Sequence, residues 1–499
     1  KQPYIGFFSF VPMDIYPTAH YMWPDSPTYL TDQHNIVLTV FYGAVAAVSR
    51  FFTDSNDAGI VVLAVLQWLF AAFCCAATAN RFFNLPWRRL GVGTFDFSHP
   101  ERHDCWNMRD FAHPEAGVVP RPSRLRAGAK TRLAIILFFM VCPLAVFSTI
   151  SLTKSPLFAF AFVWWFGVWY ELHMTHIKAM PTINGKPVRL RKRSIAAFII
   201  ASSVMLISAK YAWYIIVFAF LLALCNDRKR WKTYLVTLLL PTVLIHGGIV
   251  ALTNTGAIIG GDPIESRGIQ LQQIARVAKY NPQGIPKDAR KKLDKVFNLD
   301  QMAESYFQQD ADPVKSSGIQ SKKVSYKWRT VTAADMKDFN KAWLEIVKAN
   351  PVIALDAFFA ECFGYFNVTD LPYVSMDYYV NNDYVQEDND WIHSYNHDWR
   401  DRVAGFAKGW GNIPVLGWVT HGNLYVTLTL LIGAAEVILR RWRSLSWHLP
   451  LLLLMGVMIT SPANNFERHM LPVAFVFGFL CLQFWRESRN ARLAASAAE

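Results

Sequence analysis

Acidic, imidazole and guanidinium side chains gather in a few short stretches of this chain. The first, YIGFFSFVPMDIYPTAHYMWPDSPTYLTDQHNIVLTVFYG, sets Asp14, His20, Asp25, Asp32 and His34 among aromatic residues directly ahead of an apolar run. A carboxylate held in a partly desolvated, aromatic pocket at a membrane surface has a raised pKa and can act as a general base. Asp14 is the candidate for that task. The competing reading is of ordinary loop acids and turn formers, which Asp25 in PDSP fits well. Near the other end, SPANNFERHMLP puts Glu467, Arg468 and His469 at the mouth of the last apolar run. An arginine there runs against the positive-inside tendency. It either meets an anion such as a lipid phosphate or snorkels to the interface and pairs with Glu467. Lys210, at the turn of an apolar hairpin, carries the same two readings.

Three further patterns lie in a long hydrophilic stretch. In ESRGIQLQQIARVAKYN, Gln272 and Arg276 are four residues apart and share a helix face, Gln273 joins Arg276 at three, and Lys279 follows. A solvated polar face explains that spacing at least as well as a binding site. Asp310 and Asp312 have a DxD spacing suited to a divalent cation, but two acids make a weak site and a surface turn accounts for them more simply. Asn367-Val368-Thr369 fits a glycosylation sequon, a triplet frequent by chance. No P-loop, Rossmann glycine fingerprint, HExxH or GxSxG occurs, so hydrolase and NTPase chemistry lose their usual support.

The elements that must position these residues are membrane helices. Of 499 residues, 53% are hydrophobic and 17% charged, against roughly 25% charged in a soluble chain. Runs such as 58–75 and 133–152 approach the roughly 20 apolar residues that cross a bilayer. The seven cysteines are scattered and mostly lie in apolar runs, which excludes a disulfide scaffold and gives no metal spacing. The net charge of +13 sits mainly at the ends of apolar segments, where topology rather than nucleic acid explains it. The stretch that begins at Lys1 has neither a basic n-region nor an apolar h-region, so no signal peptide is expected in it.

Apolar runs predict nine spans, near 58–80, 132–152, 156–172, 195–208, 211–226, 232–253, 422–440, 447–461 and 469–485. Basic clusters at 189–193 and 228–232 flank a stretch that must go out and return, with Lys210 at the outer turn. The loop 81–131, residues 440–443 and the tail after 485 are also basic and read as cytoplasmic. The insert 254–421, the turn at 461–468 and the first 57 residues then fall outside. One run, 36–52, breaks the parity if it crosses, and is expected to lie along the outer interface. The insert is expected to be mainly helical, with helices at 267–279 and 333–349, an amphipathic run at 353–366, and an aromatic, acidic region at 373–410. Trp391, Trp399 and Trp410 there suit either a glycan-stacking surface or the insert's own core.

Asp14 followed by Thr31-Asp32-Gln33-His34-Asn35, the QLQQIARV segment at 270–277, DADPVK at 310–315 and SPANNFERHMLP at 461–472 together resemble an uncharacterised family of bacterial multispanning proteins related to the GT-C glycosyltransferases, which use polyprenyl-phosphate sugars. The resemblance covers most of the chain. It implies an all-α, GT-C-like polytopic fold with a catalytic carboxylate in the first outer loop and a lipid-phosphate site at the outer face. It also expects one more transmembrane helix ahead of residue 1. Two places depart from the family pattern: Gln33-His34-Asn35 stands where a His-His-Pro is usual, and Arg468-His469 where an Arg-Tyr is usual.

A glycosyltransferase of the cell membrane is the function so implied. It would move a sugar from a polyprenyl-phosphate donor to an extracytoplasmic glycan or lipid acceptor. Such a donor carries its own leaving group, so one carboxylate suffices, unlike the acid pair of most glycosidases. Asp14 is expected as the base, with inversion. Arg468, helped by Lys210 or His34, would stabilise the phosphate, and Asp32, Gln273, Arg276 and His469 complete the expected substrate-binding set. No cofactor is required, although a divalent cation remains compatible with Asp310 and Asp312. The alternatives are a transporter or flippase of lipid-linked sugars, for which charges in mid-helix would be expected, and an inactive protein that binds lipid or cell-wall polymer.

Overall fold

The computed structural model describes residues 31–32, 35–86, 127–175, 190–260, 263–315, 326–327, 330–370, 390–392, 394–442, 444–461 and 463–496. Asp14 and His34 lie outside these residues. Among those described, the chain is helical apart from β1 (Thr31–Asp32), which pairs in parallel with β2 (Ile259–Gly260), and isolated bridges. Five helices are long and apolar enough to cross a membrane: α1 (Ile36–Thr53), α2 (Asp57–Asn84), α5 (Lys154–Met174), α8 (Arg228–Asn254) and α17 (Glu467–Ser496, apolar through Arg489). The shorter apolar helices include α7 (Ala212–Asn226), α15 (Gly422–Ile438) and α16 (Leu445–Ile459), and α6 (Lys192–Ser208) packs among them. This is an all-α protein with the make-up of a multi-pass membrane protein.

The run at 132–152 is not one helix. It divides into α3 (Ala129–Val141) and α4 (Pro143–Ser148), with Cys142 extended between them. Pro143 is the reason: it lacks an N–H and forces the residue before it out of helical geometry. Pro241 acts more mildly in α8, where π-helical turns at Leu235–Leu239 and Val243–Gly247 absorb the disturbance on either side.

α5 is the central post. Its sequence is apolar all round and nearly every residue is buried, as such a helix requires. α2 runs parallel to it: Gln67 Nε2 reaches Ser148 O at 3.1 Å, Thr78 Oγ1 reaches Val163 O at 2.8 Å, and Arg81 meets Glu171. The two helices come so close that a Cβ on Gly167 would stand 2.6 Å from Thr78 Oγ1. α6 runs the other way, with Phe198 on Trp165 and the α6–α7 turn, at Tyr211, on Phe158. α17 is parallel to α5 (Phe475 on Phe160; Tyr170 OH donating to Gln483 at 2.8 Å) and to α15 (Met470 by Gly422; Phe477 by Tyr425).

Helix ends therefore sort into two sets. One set carries Arg81, Arg191, Arg230, Arg441 and Arg486. There Glu171, 1% exposed at its side chain, accepts from Arg81 Nε (3.1 Å), Arg191 Nε and Nη2 (2.8 and 2.6 Å) and Ser194 Oγ (2.8 Å). The other set carries the insert, which has its own hydrophobic core, including Leu271, Ile274, Phe297, Phe339 and Ile346. That core is built by α9 (Gly268–Tyr280), α10 (Lys287–Leu293), α11 (Leu299–Glu304), α12 (Ala333–Ala349) and α13 (Pro351–Cys362). α12 starts on a capping box between Thr332 and Asp335. α14 (His397–Gly411) follows, ahead of α15.

α1 joins α2 through a tight turn, with Gly59 against Ser49. Its first cap, Asn35, donates to Leu206 O at 2.8 Å near the insert end of α6. At the α2 start, Asp57 Oδ2 accepts the backbone N–H groups of Asp390, Trp391 and Ile392 at 3.1, 2.7 and 3.1 Å, clamping the insert onto this turn. Replacing Glu171 by Ala leaves two guanidiniums facing each other with no counter-charge. The expected loss is about 3–5 kcal/mol, read as a lowered unfolding midpoint in detergent, with Glu171→Gln falling less because Ser194 keeps its acceptor.

Candidate functional site

The turn between α16 and α17 is where the insert is fastened to the bundle. Its polar residues act as backbone partners. Asn464 accepts Gly364 N–H (2.8 Å) and donates its own N–H to Gln309 O (2.7 Å), while Asn465 Nδ2 donates to Asp370 O and Oδ2 (both 3.1 Å). Asn465 has φ 48°, a left-handed conformation that asparagine adopts readily. From α15, Asn423 Nδ2 stands within hydrogen-bond distance of the carbonyls of Gly364 (3.2 Å), Asn367 (2.8 Å) and Asp370 (2.9 Å). A side chain at 364 is excluded, because its Cβ would meet Asp370 Oδ2 at 2.3 Å and Asn464 Oδ1 at 2.8 Å.

Around this fastening lies a polar cluster. Tyr365 donates to Ala463 O (2.7 Å) and its hydroxyl lies 3.1 Å from His469 Nδ1, which also meets Ser461 Oγ at 3.0 Å. The Arg468 guanidinium sits 4.0 Å above the Phe466 ring. Its charge reaches Tyr211 from the α6–α7 turn, Tyr365 from the insert and His469 beside it, and Lys154, the first residue of α5, also acts on His469. Burial holds the Tyr211 and Tyr365 phenols well above their usual range, with Arg468 working in the opposite direction. Next to Tyr365 is Glu361, 1% exposed, with no hydrogen bond to either carboxylate oxygen among the described residues. Burial, reinforced by Asp310 and Asp312, pushes its pKa up to about 8. Two phenols, an imidazole and two cations thus gather at one end of the bundle, with Glu361 beside Tyr365, a set suited to holding an anion and moving a proton.

Residues 1–498 match a family of unknown function, DUF6020. The chain belongs to that family. No curated protein and no solved structure matches it. In this DUF6020 chain the predicted residues divide. Arg468 and His469 are at the centre of the cluster, and Lys210 is exposed on the turn beside Tyr211. Asp32 lies in β1 opposite Gly260, and Asn35 is tied to α6 through Leu206 O.

Gln273 is not at the cluster. It lies in the insert core, donating to Ala354 O (3.0 Å) and accepting the Trp343 indole N–H (2.7 Å). Gln272 donates to Phe307 O (2.8 Å), and Arg276 pairs with Asp356 and Tyr306. These three hold the insert together. Asp310 and Asp312 form a turn, Asp312 N–H donating to Asp310 Oδ1 (2.8 Å), and Lys315 bridges Asp312 to Glu265. Among the described residues no group of three or more metal-ligating side chains is assembled. Of the tryptophans, Trp391 and Trp399 are exposed and Trp410 is half-buried.

Glu361, Tyr365, Lys154 and the three asparagines escape a reading of the sequence. Their only signal is an acid in an apolar helix and an Asn-Asn pair between two apolar runs. Because Glu361 keeps its proton well above the ordinary value of 4.5, its contribution to stability is full below that pH and drains away as pH rises towards about 8. Thermal unfolding in detergent should therefore show a midpoint that falls between about pH 5 and pH 8 in the native chain and a flatter profile in Glu361→Gln. Parallel profiles would contradict the neutral acid.

Proposed function

We propose that this protein is a multi-pass membrane glycosyltransferase that moves a sugar from a polyprenyl-phosphate donor to a glycan or lipid acceptor. The observation that carries the reading is the Arg468 guanidinium at the insert end of the bundle, 4.0 Å above the Phe466 ring and next along α17 to His469, whose imidazole meets Tyr365 and Ser461. A cation so surrounded suits a phosphate at a membrane surface.

Several further features support it. Basic residues collect at the opposite helix ends, which by the positive-inside tendency supports a reading with those ends cytoplasmic and the insert outside. With α3 and α4 taken as one broken crossing, that reading has nine spans among the described residues. α1 is long enough to cross, yet Asn35 before it is tied near the insert end of α6 and Asp57 after it is tied to the insert itself. Both attachments suit a helix along the outer interface.

In the mechanism, Asp14 takes the proton from the acceptor hydroxyl as that oxygen attacks the anomeric carbon opposite the phosphate, inverting the centre. Arg468 and Lys154 stabilise the charge left on the departing lipid phosphate, with Lys210 and His34 as the further candidates to assist them. With purified protein and a labelled polyprenyl-phosphate sugar, Arg468→Ala should lower transfer by about 10²-fold or more, Arg468→Lys should recover part of it, and Asp14→Asn should abolish it with expression intact. Retention of most of the transfer rate in Arg468→Ala would sink the assignment. Movement of the lipid across vesicles without transfer, or binding alone, would replace it with transport or with an inactive binder.

A further inference from the structure

Two helices of the insert expose apolar stripes beside the bundle. On α13 and the turn after it, Val352, Leu355, Phe359 and Phe363 recur at three- and four-residue steps and all point away from the protein, Val352 at 78% exposure. The opposite side of α13 is taken up by Ala354, Ala357 and Glu361, which are buried. On α14, Trp399 and Phe406 lie seven residues apart on one stripe, Phe406 at 70% exposure, and the loop that follows exposes Val415 and Leu416. Patches of this kind on a protein surface mark a partner.

Depth identifies the partner. Thr427 Oγ1 donates to Phe366 O at 3.3 Å. Thr427 is five residues into α15, about 7 Å along that helix from its first residue. Phe358 and Phe366 pack against the hydrophobic core of the bundle rather than that of the insert. The second stripe is held at a similar level: Val419 O accepts the Tyr425 hydroxyl from α15 (2.5 Å) and the Cys142 thiol from the end of α3 (3.4 Å). The Phe359–Phe363 end of the first stripe and the loop after the second thus lie level with the first turns of α15. Arg402, four residues before Phe406, stands beside the α14 stripe, where a headgroup phosphate would meet it.

We propose that the insert is half-sunk in lipid: the α13 stripe, and the α14 stripe with the loop after it, dock onto the acyl–headgroup boundary of the leaflet that surrounds the insert end of the bundle. The occupant is the bilayer itself. The inference needs the bundle to cross a membrane and needs no particular chemistry at Arg468.

The test uses the full chain in lipid nanodiscs with the exposed Cys225 replaced by Ser. Nitroxides are placed at Phe359→Cys, Leu416→Cys and, as a control on exposed α12, Lys341→Cys. Collision with oxygen should exceed collision with a water-soluble nickel chelate several-fold at 359 and 416, and the order should reverse at 341. Preference for the nickel chelate at 359 and 416 would overturn the proposal. A second measurement avoids labelling: phospholipids with brominated chains should quench a smaller share of the tryptophan emission in Trp399→Phe than in the native chain. An unchanged quenched share, with oxygen and chelate equal at 416, would also overturn it.

Discussion

Backbone groups at the edge of a hydrocarbon layer have no water to fall back on, so every bend there must bring its own partners. In this protein asparagine side chains supply them. Asn423 gathers three carbonyls of the 364–370 turn, while Asn464 accepts the Gly364 N–H and Asn465 donates to Asp370 from the other side. Removing one such amide leaves buried polar atoms unpaired, which costs about 1–3 kcal/mol each. The positions of Tyr365, Glu361 and Arg468 all follow from this fastening, since each is within a few residues of a group it holds.

The two ends of the bundle handle buried acids in opposite ways. At the basic end Glu171 is surrounded by two guanidiniums and a hydroxyl, so its desolvation is offset and α2, α5 and α6 are locked in register. At the insert end Glu361 receives no donor among the described residues, and burial together with Asp310 and Asp312 favours its neutral form. One arrangement gives a rigid strut. The other leaves an acid whose neutral form is favoured beside the Tyr365 phenol.

Hydrophobic runs made much of the membrane part legible: α6 and α7 turn at Lys210 as the flanking basic clusters require, α12 occupies the expected 333–349, and α16 and α17 fall on their predicted runs. The break at Cys142 was visible in principle through Pro143, but a run of apolar residues on both sides hid it. Arg468 and His469 stood out because charge at that mouth is unusual. Gln272, Gln273 and Arg276 attracted the same suspicion, yet their partners, Phe307 O, Trp343, Ala354 O and Asp356, are 35 to 81 residues away, and spacing along a helix says nothing of such contacts. Glu361 and the asparagines gained their meaning only through burial, which no local pattern reports.

The clamp at Asp57 bears on how the protein is made. Its acceptor stands at the start of α2, and the three N–H groups that satisfy it come 333 to 335 residues later. During synthesis the α1–α2 hairpin must therefore wait, its Asp57 Oδ2 without these donors, until the chain has grown by the 333 to 335 residues that carry them. Contacts closed over such distances form late. Final seating of the α1–α2 hairpin is thus tied to completion of the insert, so that a product interrupted before residue 390 stays recognisably unfinished at that hairpin.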